Sequence, residues 1–99
     1  MNQAMDELEA RANRTLNRLR DLADQMAEVR VRETSSDGAI TVVVDGNGTL
    51  QDLTLSTAIA KLTPAEFERV LVGTAGRAAQ RAFAERGDLV NAFNEELRE

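Results

Sequence analysis

The sequence predicts an α+β domain in which a long helix, a three-stranded antiparallel meander and a second long helix follow one another. Apolar residues repeat at helical spacing through residues 1–27 and alternate with polar residues through much of 28–56. Helical spacing returns after the proline at position 64. A chain of 99 residues has room for one domain, so these elements are expected to form a single αβββα unit.

The first helix is predicted over residues 1–27 because its apolar residues follow alternating steps of four and three. This heptad seam consists of Met1, Met5, Leu8, Ala12, Thr15, Leu19, Leu22, Met26 and Val29. Its regularity favours coiled-coil packing on another long helix, although packing on its own domain remains the alternative. Leu19 and Leu22 are therefore predicted to lie in a dimer interface.

The meander is predicted over residues 28–56, with strands beginning near Val29 and at 39–45 and 49–56. Two turn signals separate these strands, one at 35–38 and one at 45–48, and both contain glycine. On the second strand Val43 points away from the face that carries the other apolar residues. An apolar residue on that outer face predicts that a partner covers it, so Val43 is a further candidate for the dimer interface.

The second helix begins at a clear signal, because Thr63 suits an N-cap, Pro64 suits the first turn and Glu66 completes a capping box. The pattern predicts a helix over 63–86 and a separate tail helix over 88–98, divided at Gly87 and Asp88. A single continuous helix is the alternative.

Composition argues against catalysis and against a metal or cofactor site. The chain contains neither Cys nor His, which removes disulfides, thiolate ligands and the commonest general base. The loop after Asp45 resembles an EF-hand start but has Leu50 and Ser56 where Gly and Glu are required. Without disulfides or metals, a small core is expected to be reinforced by homodimer formation. No secretion signal or membrane span is evident, which predicts a cytoplasmic protein.

Two windows of the sequence contain arginines and no acid, although the net charge of the chain is −5. The first contains Arg11, Arg14 and Arg18, which share a helix face within about 60°. The second contains Arg77 and Arg81, four residues apart on the second helix. These five arginines are the candidate DNA-binding residues, and they are expected to form a basic strip if the helices pack together. The alternative is that they pair with acids on neighbouring elements.

The chain resembles the YbaB/EbfC family of bacterial nucleoid-associated proteins over roughly residues 5–85. The resemblance is carried by the polar first helix, by the 38–44 strand with the turn at 46–48, by 53–55, and by Ala75 and Ala79 on the capped helix. It implies an αβββα homodimer formed largely through the sheets, with helices projecting as arms. It also implies duplex DNA binding in the nucleoid with little sequence preference, through basic residues of the helices.

Two functional hypotheses therefore remain at this point. The first is a dimeric protein that binds the duplex backbone through Arg11, Arg14, Arg18, Arg77 and Arg81. The second is a protein-interaction or chaperone-like adaptor of the same fold, for example one accessory to type VII secretion.

Overall fold

The computed structural model describes residues 3–98, and its element order confirms the predicted αβββα fold. The elements are helix α1 (Gln3–Ala27), strands β1 (Arg30–Thr34), β2 (Ile40–Asp45) and β3 (Leu50–Leu55), and helix α2 (Pro64–Arg98). A 3-10 helix at Thr57–Lys61, which was not predicted from the sequence, connects β3 to α2. Met1, the first position of the predicted seam, lies outside the described residues.

The three strands form one antiparallel sheet in the order β1-β2-β3. Both predicted turns are hairpins, and Gly38 and Gly48 adopt φ values of +72° and +77° that L-residues rarely accept. Asp45 organises the second turn, since its Oδ1 accepts hydrogen bonds from the backbone N–H groups of Asn47 and Thr49 at 2.9 and 3.0 Å. The sequence 45–49 is therefore a hairpin turn stabilised by its own aspartate.

The start of α2 confirms the predicted capping box. The Thr63 N–H donates to Glu66 Oε1 at 2.9 Å, and the Glu66 N–H donates to Thr63 Oγ1 at 3.1 Å. These two bonds satisfy backbone donors that the first helical turn would leave without a partner.

Helix α2 then continues without interruption to Arg98, so the structure contains no helix break at Gly87 and Asp88. Gly87 does not have the positive φ that a helix C-cap glycine usually adopts. Leu89 and Phe93 are half-buried, and they line a groove with Leu22 of α1. Burial of these apolar residues against α1 favours continuing the helix over ending it at a lone glycine.

The core lies between α2 and the inner face of β1 and β2. Ile40, Val42 and Val44 of β2 are almost fully buried there, as are Ala78 and Ala82 of α2. Small residues on the helix let its backbone approach the sheet closely. Thr74, which is also buried, satisfies its hydroxyl by donating to the Val70 carbonyl at 2.7 Å.

The inner face of the sheet is open along β3, because α2 packs on β1 and β2. Leu50, Leu53 and Leu55 of β3 pair with Val44, Val42 and Ile40, so all six belong to the same face. The three leucines nevertheless remain 47, 38 and 42 % exposed. The outer face is mainly polar, and its half-buried Val43 is flanked by Arg32 and Asp52.

Beyond the sheet, α1 and the second half of α2 run antiparallel as a two-helix arm, and the molecule is 75 Å long. The C-terminal part of the predicted seam contacts α2. Its residues Leu22 and Met26 are half-buried, whereas Leu19 is 46 % exposed. No residue of α1 is buried. Within residues 3–98, neither long helix has an apolar stretch sufficient to cross a membrane.

The base of the arm is fixed to the second hairpin. Arg86 donates from Nη1 to the Gly46 carbonyl at 3.2 Å and to Asn47 Oδ1 at 3.0 Å. A Cβ on Gly46 would lie 3.1 Å from both Arg86 Cδ and the Met26 carbonyl oxygen. Glycine at position 46 therefore allows α1, the hairpin and α2 to meet at one point, which we call the arm base.

We expect Gly48→Ala to destabilise the protein by more than Gly38→Ala. Both substitutions impose left-handed strain of about 1–2 kcal/mol. At Gly48 the new methyl group would also lie 3.0 Å from Phe83 Cζ and 3.2 Å from Ala79 Cβ, whereas nothing lies within 4 Å at Gly38. Urea denaturation of both variants measures the difference, and equal losses would contradict close packing of this turn on α2.

Candidate nucleic-acid interface

The arm carries a cleft lined by four arginines. Its lining residues are Arg11, Arg14, Thr15 and Arg18 from α1 and Glu96, Leu97 and Arg98 from α2. The cleft has a volume of about 410 Å³. The three arginines predicted on α1 are therefore brought together, as their spacing on one helix face indicated. We call this feature the arm cleft.

Charge in the arm cleft is only partly neutralised. Arg18 lies 3.8 Å from Glu96, measured from Nε to Oε2, and its Nη1 donates to the Glu96 carbonyl at 3.3 Å. Within residues 3–98, Arg11 and Arg14 form no salt bridge and are exposed. Among residues 3–98, Glu96 is the acid that lines the cleft beside four arginines, so the described lining carries more positive than negative charge.

Arg98 was missed from the sequence. Residues 88–98 were interpreted as a separate tail with an acidic end, so Arg98 was not connected to α1. The apolar spacing past Gly87 could have indicated a continuous α2, but the position of its last turn beside Arg14 and Arg18 has no signal in the sequence.

Arg77 and Arg81 lie elsewhere, on the part of α2 that covers the sheet. Both contact Glu33 of β1, with Arg81 Nη1 2.6 Å from Oε2 and Arg77 Nε 3.5 Å from Oε1. Along α2, about 23 Å separates Arg81 from Glu96. The two arginine windows therefore do not merge into one strip, and the predicted role of Arg77 and Arg81 in DNA binding stays a prediction.

The Glu33 carboxylate is stabilised in its charged form. The hydrogen bond from Arg81 is the main reason that the pKa of Glu33 lies below its ordinary value of 4.5, and Arg77 lowers it further. Glu33 lies on the inner side of the sheet with its side chain 20 % exposed. The cluster therefore ties β1 to α2 through one carboxylate shared by two guanidinium groups.

The fold and the arm cleft together define a class: a small α+β domain with basic residues on a projecting helical arm. The YbaB/EbfC DNA-binding family matches residues 1–97, so this chain belongs to that family and the resemblance seen in the sequence is confirmed. The family comprises nucleoid-associated DNA-binding proteins.

A solved structure supports the fold. The uncharacterized protein HP0035 from Helicobacter pylori has a crystal structure that superposes with a TM-score of 0.66, over 96 % of this chain and 97 % of that chain. The two sequences are 19 % identical, so the likeness concerns the fold alone. No curated protein matches the sequence.

We expect Glu33→Gln to lower stability at pH 7 and to have a smaller effect as the solution is acidified. A carboxyl whose folded pKa is depressed contributes stability above its unfolded pKa, and this contribution is lost as the pH falls through the folded pKa. The difference between wild type and variant should therefore shrink as the pH falls below about 4.5. Urea midpoints across this range measure it, and a difference that does not change with pH would argue against the ion cluster.

Proposed function

We propose that the protein binds duplex DNA as a homodimer, by contacts of the arm cleft with backbone phosphates and with little sequence preference. The observation that carries this proposal is the convergence of Arg11, Arg14, Arg18 and Arg98, with Glu96 as the one acid of the described lining. Guanidinium groups form strong charge-assisted hydrogen bonds with phosphate oxygens. Membership of a DNA-binding family supports DNA as the source of those phosphates. The protein then acts in the nucleoid by binding, without catalysis.

Phosphate contact is favoured over base recognition by the residues available. The chain contains no Trp or Tyr and three Phe, so it offers few aromatic rings on which unpaired bases could stack. Phosphate contacts fix position on a duplex but do not distinguish sequences. A protein that depends on them therefore binds many duplexes with similar affinity.

The acidic net charge of −5 is compatible with this function. Fields from exposed charges are screened beyond about 8–10 Å at physiological salt, whereas direct arginine–phosphate contacts are shorter than that. Acids within this distance of the bound duplex oppose its attraction, so binding is expected to be weak, and it should depend strongly on salt because it relies on phosphate contacts.

The open face along β3 supports a homodimer. Val72 and Phe83 of α2 are also exposed, at 65 and 52 %. Three strands span roughly 14 Å at about 4.8 Å spacing, and one helix of about 10 Å diameter does not cover that width. A second copy can cover β3 with its own α2, and Ala75, Gly76 and Ala79 keep the two helices thin where they meet. We place the dimer contact on this inner face, with Val43 on the outer face as the alternative.

Leu53→Lys and Val43→Lys form a matched test of the dimer contact. We expect Leu53→Lys to weaken the dimer by several kcal/mol, because an unpaired ammonium would enter buried apolar surface. The same change at Val43 should have a smaller effect, since that side chain stands among polar neighbours. Sedimentation equilibrium measures both, and a larger effect at Val43 would transfer the contact to the outer face. Thermal unfolding of the wild type should depend on protein concentration.

For DNA binding, the test is the triple change of Arg11, Arg14 and Arg18 to Gln. The four arginines of the arm cleft correspond to about eight phosphate contacts per dimer, so log K of the wild type should fall against log salt with a slope near −7. The triple variant should bind more weakly by a similar factor on every duplex sequence, and its slope should be shallower. Arg98→Gln should weaken binding in the same way. Gel-shift titration at several salt concentrations measures these quantities.

Arg20→Gln is the control, because Arg20 is exposed on α1 but does not line the arm cleft. If the triple variant binds DNA as well as the wild type, DNA is still the ligand but the arm cleft is not the contact surface. The simplest other contact is then Arg32 on the outer face of the sheet. No binding at low salt by folded wild-type protein would instead favour the protein-interaction adaptor.

A further inference from the structure

We propose that α2 and the β1–β2 hairpin form a binding site for a single phosphate group, separate from the arm cleft and centred on Gly73. The pocket has a volume of about 150 Å³. Its lining residues are Ser35, Ser36, Arg69, Val70, Gly73, Thr74 and Arg77. Both of the charged residues in this lining are arginines. We call this pocket the Gly73 site.

On α2, the glycine at position 73 leaves a gap in the helix surface between Arg69 and Arg77. Arg69, Gly73 and Arg77 are successive i, i+4 neighbours, so they form one row on the helix surface. Glycine inside a helix is unfavourable by about 1 kcal/mol relative to alanine, and a packing contact usually accounts for it. Here the Arg77 Nη1 atom, at 3.7 Å, is the single neighbour that a Cβ on Gly73 would meet. No packing contact therefore requires the glycine, and its absent side chain leaves room for a ligand.

The Arg77 guanidinium is already oriented for such a ligand. Its Nη2 donates to Thr74 Oγ1 at 3.3 Å, and its Nε lies 3.5 Å from Glu33 Oε1. Thr74 is itself fixed by its bond to Val70, and it is buried. These contacts leave Nη1 directed toward the gap at Gly73, so little side-chain freedom remains to be lost on binding.

The other polar groups of the site are available. Within residues 3–98, Arg69 forms no hydrogen bond or salt bridge, and the hydroxyl of exposed Ser36 forms no hydrogen bond. A phosphate between Arg69 and Arg77 could accept from both guanidinium groups and from Ser36, which is the donor set that oxyanions prefer.

Acids near the site are engaged with other partners. Glu33 accepts from Arg81, Asp37 accepts from Ser35 Oγ at 2.6 Å and the Ala39 N–H at 3.0 Å, and Glu66 accepts from the Thr63 N–H. Hydrogen bonds with Thr63 are the main reason that the pKa of Glu66 lies below its ordinary value, and the charge of Arg69 lowers it further. A phosphate at the Gly73 site therefore competes with the 3.5 Å approach of Arg77 to Glu33 and with the attraction between Arg69 and Glu66.

The phosphate could be a free inorganic ion or a phosphate of the duplex backbone, and the chemistry of the site is the same for both. A duplex as the source connects this inference to the proposed function. Along α2, about 35 Å separates Gly73 from Glu96 in the arm cleft. One turn of a DNA duplex advances by about 34–36 Å, so one strand could present phosphates to both sites.

The first experiment titrates inorganic phosphate into the full-length protein and follows backbone amide signals by NMR, with sodium chloride at matched ionic strength as the reference. We expect phosphate, and not chloride, to shift the signals of Ser36 and Gly73. Gly73→Glu should abolish these shifts at position 36, because a carboxylate there would pair with Arg69 and Arg77, four residues away on either side. Asn91→Glu, which adds the same charge to an exposed position of α2 at least five residues from the nearest arginine of that helix, should leave them intact.

Arg69→Gln gives a second variant that keeps the glycine, and it should weaken the phosphate-dependent shifts while the fold, followed by circular dichroism, is unchanged. Equal shifts with phosphate and chloride, or phosphate shifts that survive both Gly73→Glu and Arg69→Gln, would overturn the proposal. This titration contains no DNA, so its outcome does not depend on whether the protein binds a duplex.

The second experiment identifies the source of the phosphate. It compares wild type, Gly73→Glu and Asn91→Glu in salt titrations on a 24-base-pair duplex. If the duplex supplies the phosphate, Gly73→Glu should make the salt slope shallower by about 1 for each lost contact, and Asn91→Glu should not. If a free phosphate is the ligand, the slopes of Gly73→Glu and Asn91→Glu should agree, while the NMR shifts of the wild type persist.

Discussion

The close packing of one face of α2 on strands β1 and β2 is the contact on which the rest of the molecule depends. Ala78 and Ala82 have side chains small enough for the helix backbone to lie almost directly on Val42 and Val44. This position of α2 covers two strands and leaves β3 open, and the open strand is the surface on which we propose that a second copy docks. Because α2 is 35 residues long, it also extends past the sheet and forms the arm with α1.

Much of this fold was predictable because it rests on local chemistry. The turns at 35–38 and 45–48, the capping box at Thr63 and the order of elements all depend on residues close in sequence. The continuity of α2 through Gly87 was not predictable in this way, because it depends on burial of Leu89 and Phe93 against α1. The heptad seam likewise predicted a packing partner for α1. It did not indicate that the C-terminal half of α1 packs against α2 of the same chain.

The candidate site was predictable on one helix and not between helices. Arg11, Arg14 and Arg18 share a face because of their spacing alone, so the sequence was sufficient to group them. Arg98 lies beside them because the two helices pack antiparallel. Arg81 contacts Glu33 because α2 packs on β1. Such contacts depend on how far each helix extends along its neighbour. Spacing in the sequence does not contain that information.

The arm base has a mechanical consequence. Since Arg86 and the closely approached Gly46 connect α1, the second hairpin and α2 at one point, the arm behaves as a lever with its fulcrum there. A lever of about 37 Å, the length of 25 helical residues, displaces its tip by about 3 Å for each 5° of rotation at the base. A displacement of that size is as large as one hydrogen bond. The arm cleft lies about 18 Å from the base, so it moves by about 1.6 Å for the same rotation. In the proposed homodimer, rotations at both arm bases would together change the distance between the two arm clefts by about 3 Å, so stiffness at Gly46 and Arg86 would determine which duplex shapes the pair of arms can bind.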